Sequence, residues 1–200
     1  MKTLRALAAT AALIAPLASQ AGLVNGNFEA NAIGAGSWTI LPTLTGWTGG
    51  PLGIELRNGV SGTAKAGKHY VELDTTGNSA MWQDVDTDEG QYYFVTGWYS
   101  PRAGVAADSN DIQVFWNTTL LGTLSGSGIG KSDHDWKAFS FGVFGTAATT
   151  DRLRFAAAGR SDSLGGSLDQ IALTAVPEPG SLALVLAAFG AAALARRKAA

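Results

Sequence analysis

Two histidines, a scatter of carboxylates and no cysteine make up the chemistry open to this 200-residue chain. Without cysteine there is no thiolate nucleophile. His134 lies in the polar loop Lys131-Ser132-Asp133-His134-Asp135, and a Ser-His-Asp set could be drawn from Ser132 or Ser161, His134 and Asp162. No Gly-x-Ser-x-Gly elbow frames a serine, because Gly126-Ser127-Gly128 has the wrong register. His69 falls within a strand pattern. Glu55 and Glu72 are the nominal carboxylate pair for glycoside hydrolysis, which needs a cleft between them of roughly 5 to 9.5 Å. Asp84-x-Asp86-x-Asp88 opens like a calcium-binding EF-hand loop, but its sixth and twelfth positions hold Glu89 and Val95 instead of glycine and glutamate. Asp86–Gly90 therefore reads as a solvated hairpin turn. Gly122–Gly130 has no Lys-Ser/Thr ending and reads as turns, not as a phosphate loop. These residues predict a protein that is not an enzyme.

Binding is better supplied. There are six tryptophans, Trp38, Trp47, Trp82, Trp98, Trp116 and Trp136, together with Tyr92, Tyr93 and Tyr99. Several must fill a core. Along the strand from Tyr92, side chains alternate. If Tyr93, Val95, Gly97 and Tyr99 face inward, Tyr92 and Trp98 lie on the outer face. A sugar ring could stack there, with Arg102, Gln113 or Asn117 as hydrogen-bonding partners. Alternatively, large loops cover both faces.

The elements that must hold these residues are strands. Period-2 runs separated by Gly, Asn, Asp or Ser predict strands near Ser37–Leu41, Gly53–Arg57, Tyr70–Asp74, Ala80–Val85, Tyr92–Ser100, Ile112–Asn117, Leu120–Leu124, Trp136–Phe144, Arg152–Ala157 and Leu168–Thr174. About ten short strands without helical periodicity predict an all-β domain, a β-sandwich of jelly-roll type. It would span residues 22–175.

Both ends read as addresses. Lys2 and Arg5 precede the apolar stretch Ala6–Ala18, and Ser19-Gln20-Ala21 places small residues for cleavage between Ala21 and Gly22. Residues 1–21 are thus a signal peptide for the Sec export machinery. At the other end, Val176-Pro177-Glu178-Pro179-Gly180 leads into the apolar run Ser181–Ala195 and then Arg196-Arg197-Lys198. A helix over that run would be ~22 Å long at ~1.5 Å per residue, short of a ~30 Å hydrocarbon core. It makes a marginal anchor whose basic end stays cytoplasmic. Residues 176–200 resemble the PEP-CTERM sorting signal of Gram-negative bacteria. The resemblance implies an exosortase-type protease as partner, and membrane contact through the tail before processing. A permanent anchor or a buried core helix are the alternatives.

Between these ends lie nine Lys/Arg (the chain's 14 less Lys2, Arg5 and the three tail bases) and 15 Asp/Glu (16 less Glu178). A domain of net charge −6 argues against nucleic acid as a partner. Cysteine is absent, so no disulfide supports this exported domain.

A second resemblance follows the order of short motifs. Asn25-Gly26-Asn27-Phe28-Glu29 opens the domain and Gly166-Ser167-Leu168-Asp169-Gln170-Ile171 closes it. Gly67-Lys68-His69-Tyr70-Val71-Glu72-Leu73, Gln83-Asp84-Val85 and Ile112-Gln113-Val114-Phe115-Trp116-Asn117 come between. This order is similar to the galactose-binding-like jelly rolls, which include carbohydrate-binding modules. The resemblance implies a structural Ca²⁺ where the first and last strands meet, with Glu29 and Asp169 as side-chain ligands and the backbone carbonyls of Asn27 and Lys68 completing the shell. Otherwise Glu29 is an exposed edge residue, and Asp169 caps a turn or pairs with Arg154. The function so implied is an exported envelope or matrix protein binding exopolysaccharide. A purely structural or adhesion protein is the alternative, and a glycan hydrolase ranks third.

Overall fold

The computed structural model describes residues 22–146, 150–177 and 189. Residues 1–21, expected to be a signal peptide ending at Ala21, and the tail residues Glu178, Pro179, Arg196, Arg197 and Lys198 lie outside the described residues. No helix among the described residues is long and apolar enough to cross a membrane.

Alternating apolar residues fold the described residues into twelve strands: β1 Ser37–Leu41, β2 Thr43–Leu44, β3 Trp47–Gly49, β4 Ile54–Asn58, β5 His69–Glu72, β6 Ala80–Asp86, β7 Tyr92–Ser100, β8 Ile112–Trp116, β9 Thr119–Leu124, β10 Lys137–Phe144, β11 Thr150–Ala157 and β12 Ser167–Ala175. They form two six-stranded antiparallel sheets. Sheet A runs β1-β4-β5-β12-β7-β10, and sheet B runs β2-β3-β6-β11-β8-β9. All ten strands expected from the alternation are present with ends displaced by a residue or two. The short pair β2–β3, folded about Gly46 at φ 81°, was not anticipated.

The core lies between the sheets. Leu56, Val71, Leu168 and Val95 of sheet A face Met81, Leu153, Phe155 and Val114 of sheet B, all fully buried. Tyr93, Val95, Gly97 and Tyr99 point inward as the alternation of β7 predicts, and all four are buried. Trp47 packs between Phe28 and Phe155, with ring centroids 5.9 and 6.2 Å away. Burying a side chain of this size stabilises by roughly 1.5–3 kcal/mol.

The segment before β1 has no strand of its own, so its polar backbone is satisfied by side chains. Gln83 points inward from β6. Its Oε1 accepts from Val24 N at 2.6 Å, and its Nε2 donates to Val24 O at 2.9 Å. Trp47 Nε1 donates to Asn25 O at 3.1 Å. Farther on, Ile171 N donates to Gly26 O at 2.8 Å. A Cβ on Gly26 would lie 1.8 Å from Ile171 O, so only glycine allows this approach. Here β12 bulges between Asp169 and Ala172, with Gln170 in the left-handed region at φ 52°.

Candidate functional site

The opening and closing segments meet on the outer side of sheet A. Asp169 is directly opposite Trp98 in the β12–β7 register, on the outward face, yet it is fully buried because residues 65–69 run over it. Asp169 Oδ2 accepts from Lys65 N at 2.8 Å and Ala66 N at 3.2 Å, and Oδ1 accepts from Gln170 N at 2.7 Å. Glu29 reaches the same segment from the other side. Its Oε1 accepts from Lys68 N at 2.7 Å and His69 N at 2.8 Å, and Oε2 pairs with His69 Nδ1 at 2.9 Å. Burial pushes the Asp169 carboxyl up to about 6 despite three amide donors, and the nearby Glu29 charge adds to the rise. At Glu29 burial also works upward, but the His69 and Lys68 amides outweigh it and hold the carboxyl below its usual range.

The two carboxylates therefore converge on one five-residue segment. That segment turns amides toward them, and each carboxylate keeps oxygen lone pairs that these bonds do not use. Hard oxygen donors from two distant segments suit a divalent cation. Among the described residues no group of three or more His, Cys, Asp or Glu side chains is gathered for a metal, so Glu29 and Asp169 would need carbonyl partners such as those of Asn27 and Lys68. A pocket of about 250 Å³ opens beside this junction, between Leu23–Asn27 and Gln170–Ala172.

Next to it, still on the outer side of sheet A, is a buried ionic cluster. Glu55 and Glu72 are cross-strand neighbours on β4 and β5. Arg57 Nε donates to Glu55 Oε1 at 2.7 Å. Its Nη1 lies 2.9 Å from Glu72 Oε2 without an aligned N–H, an ionic contact and not a hydrogen bond. Arg102 Nη1 donates to Glu72 Oε1 at 3.2 Å, and Gly165 N donates to the same oxygen at 3.0 Å. Burial drives the Glu72 carboxyl up to about 7, against the pull of Arg57 and Arg102. The two acids are consumed by two guanidiniums and do not face each other across a groove.

The loop holding His134 covers the cluster. Tyr70 packs edge-on against His134, ring centroids 4.7 Å apart. Asp133 accepts from Thr63 N at 2.8 Å, and Trp136 Nε1 donates to Thr63 O at 3.0 Å. His134 Nδ1 donates to Thr63 O at 2.8 Å, which leaves Nε2 to accept from Ser167 Oγ at 3.2 Å. Ser167 is fully buried. The other conceivable triad members are elsewhere, since Asp162 Oδ2 accepts from Ser109 Oγ and Ser161 Oγ accepts from Asn78 N.

The five residues expected to bind a sugar do not form one site. Trp98 and Tyr92 are outward on β7, but at opposite ends of the strand. Lys65 Nζ caps the Trp98 ring at 3.7 Å from its centroid. Tyr92 packs against Phe94 and Phe144 at 5.3 and 4.8 Å. Arg102 is committed to Glu72. Gln113 and Asn117 belong to β8 and its turn, in the other sheet. Asn117 Nδ2 donates to Asp151 Oδ1 at 2.7 Å.

Sheet B presents the open face that the alternation did not single out. Its outward residues align in a row across five strands: Thr48, Trp82, Arg154, Phe115 and Leu120. The Arg154 guanidinium lies 4.7 Å from the Phe115 centroid, and that of Arg152 lies 5.4 Å from the Trp82 centroid. Arg152 is held by Asp84 through bonds of 2.6 and 2.8 Å, and this guanidinium keeps the Asp84 carboxyl below its usual range. Gln113 borders the row, opposite Ala156 and Thr123. The inward set Met81, Gln83 and Val85 was the available signal, because it leaves Trp82 on the outside.

Comparison with known proteins bears on both parts of the chain. Residues 175–199 match the PEP-CTERM protein-sorting motif. Proteins with this motif are exported, processed by an exosortase and sorted to the cell surface. The sandwich superposes on the Stig cyclase FisC from Fischerella sp. TAU with a TM-score of 0.55 and 16% identity, covering 80% of this chain and 98% of that one. It superposes on the carbohydrate-binding module TmCBM61, solved with β-1,4-galactotriose, with a TM-score of 0.52 and 18% identity, covering 79% of this chain and all of that one. At these identities the likeness shows the fold alone, a two-sheet antiparallel sandwich. A multifunctional-autoprocessing repeats-in-toxin protein of Vibrio vulnificus is 30% identical over 114 residues, 56% of this chain. This chain spans only 2% of that relative's length.

Proposed function

We propose that this exosortase-sorted surface protein is a non-catalytic, jelly-roll glycan-binding protein that holds exopolysaccharide on the outer face of sheet B. The observation that carries this reading is the row Trp82–Arg154–Phe115–Leu120. Trp82 and Phe115 are two strand spacings apart, about 10 Å, so a glycan laid across the row meets both rings together with the guanidiniums of Arg152 and Arg154 that lie over them. Between them Arg154, with Gln113 beside it, offers hydrogen-bond donors to ring hydroxyls or a carboxylate. The galactotriose bound by the similarly folded module is in keeping with this use of the fold. In the same reading, the Sec machinery exports the chain across the inner membrane of a Gram-negative cell, the tail holds it at that membrane, and exosortase processing releases it to the cell surface or matrix.

Binding of the full chain to exopolysaccharide is measured by affinity electrophoresis. Trp82→Ala and Arg154→Ala should each weaken it about tenfold, in line with ~1.5 kcal/mol for a stacking contact and for a hydrogen bond from a charged group. Trp98→Ala should leave it unchanged. If the native protein ignores every glycan offered, it is a structural or adhesion component. Glycan cleavage would revive the hydrolase.

A structural Ca²⁺ at Glu29 and Asp169 belongs to the same proposal. It would bind the native state and not the unfolded chain, so at 100 times its dissociation constant it adds ~2.7 kcal/mol. In a domain of this size that raises Tm by roughly 5–10 °C. Chelator should reverse the rise, and Asp169→Asn should abolish it. An unchanged melting curve with millimolar Ca²⁺ leaves the amide hydrogen bonds alone to join the two segments.

A further inference from the structure

Where β12 leaves sheet A, the surface turns apolar. Phe144 is 62% and Phe94 40% exposed, with Tyr92 between them. Phe144 and Tyr92 are directly opposite in the β10–β7 register, and Gly142, opposite Phe94, leaves room for the Tyr92 ring to lie across it. Val176, the residue at which the sequence reading starts the tail, is tied to this patch. Val176 N donates to Tyr92 O at 2.9 Å, and Gln91 Nε2 donates to Val176 O at 2.6 Å.

We propose that Tyr92, Phe94 and Phe144 form a lipid-contact surface that rests on the bilayer interface while the tail is embedded. Chain length carries the argument. The apolar run begins at Ser181, and six residues from Val176 to Leu182 reach at most ~20 Å. Any bilayer that takes up the run therefore passes close to the patch. The Tyr92 ring, with its polar tip, favours that boundary, and Phe94 and Phe144 supply apolar area beside it. The nearby acids Asp86, Asp88 and Glu89 disfavour anionic headgroups, so the contact is apolar insertion into a zwitterionic surface. It would supplement an apolar tail that is short for a full span. The proposal rests on reading the tail as a membrane anchor.

The chain has no cysteine, so single nitroxide labels report position cleanly. Full-chain Phe144→Cys, Ala187→Cys and Ile129→Cys variants are placed in phosphatidylethanolamine-rich vesicles, and label accessibility to oxygen and to a nickel chelate is measured by electron paramagnetic resonance. Ile129 is 62% exposed in a loop near the far end of β7 and serves as the aqueous reference. The label at 144 should show at least fivefold lower nickel accessibility than that at 129, with raised oxygen accessibility, unchanged at high salt. A label at 144 as aqueous as that at 129, with 187 buried, overturns the patch and leaves the anchor standing. An aqueous label at 187 overturns both. Shielding of 144 from both reagents with or without vesicles also overturns the proposal, because protein then covers the patch.

Discussion

An Arg57→Met variant should lose about 3–5 kcal/mol of stability, the range for breaking a buried ion pair by removing one partner. Arg57 is 4% exposed, and its guanidinium faces Glu55 at 2.7 Å and Glu72 at 2.9 Å. Methionine fills the volume but leaves two buried carboxylates with Arg102 as the remaining cation of the cluster. The penalty depends on pH. A carboxyl with a raised folded pKa binds more protons folded than unfolded. Its stabilising contribution is complete below the unfolded value of about 4.3 and is lost as pH rises through the folded value. For Glu72 that window ends near 7 with Arg57 present, and removing the guanidinium raises it further. Urea denaturation should therefore show a larger deficit for the variant at pH 8 than at pH 5. An equal deficit at both would mean that Arg57 does not set the titration of Glu72.

That cluster also marks where sequence reading stops. The outward positions of β4, Glu55 and Arg57, have the polar alternation of a solvated strand. Around them, residues 60–66 and 131–136 join across Thr63 from about 70 positions apart in the chain, and Arg102 and Gly165 reach Glu72 from elsewhere in the chain. No local pattern records such cover. The same limit separates the expected sugar-binding residues. Alternation assigns Tyr92 and Trp98 to one face of β7 and Gln113 to one face of β8. Only long-range pairing sends β7 to β10 and β12, and β8 to β11, whereas β8 and β9 form a local hairpin. By contrast, the strands themselves were legible because most are long enough to repeat their period. β2 and β3 were not, with two and three residues. The convergence of Glu29 and Asp169 on residues 65–69 matches what the resemblance to the galactose-binding-like jelly rolls implied, and no local pattern records it.

Asp151 is the other acid whose removal should be costly, and nothing in its surroundings in sequence distinguishes it. It is the second residue of β11, faces inward and is fully buried. Asn117 Nδ2 donates to Oδ1 at 2.7 Å, the Thr146 hydroxyl to Oδ1 at 2.6 Å and Thr146 N to Oδ2 at 2.9 Å, while the Thr87 hydroxyl donates to Oδ2. One carboxylate thus clamps the chain after β6, β8 and β10. Burial pushes its pKa upward, but the bonds from Asn117, Thr146 and Thr87 outweigh it and hold the carboxyl below the usual range. Hydrogen bonds to a buried charge are each worth about 1.5–3 kcal/mol. The threonine hydroxyls can turn to other acceptors, whereas the Thr146 amide and Asn117 cannot. Asp151→Ala should therefore cost about 3–5 kcal/mol, and Asp151→Asn, which keeps one acceptor, roughly half. Because the folded pKa is depressed, the contribution is present above the unfolded value of about 3.9 and is lost as pH falls through the lower folded value. Denaturation between pH 2.5 and 6 should show the native protein losing stability at the acid end more steeply than Asp151→Asn, so that the two curves converge. Parallel curves would place the Asp151 charge in solvent and remove the clamp from the account of how this cysteine-free sandwich holds its end together.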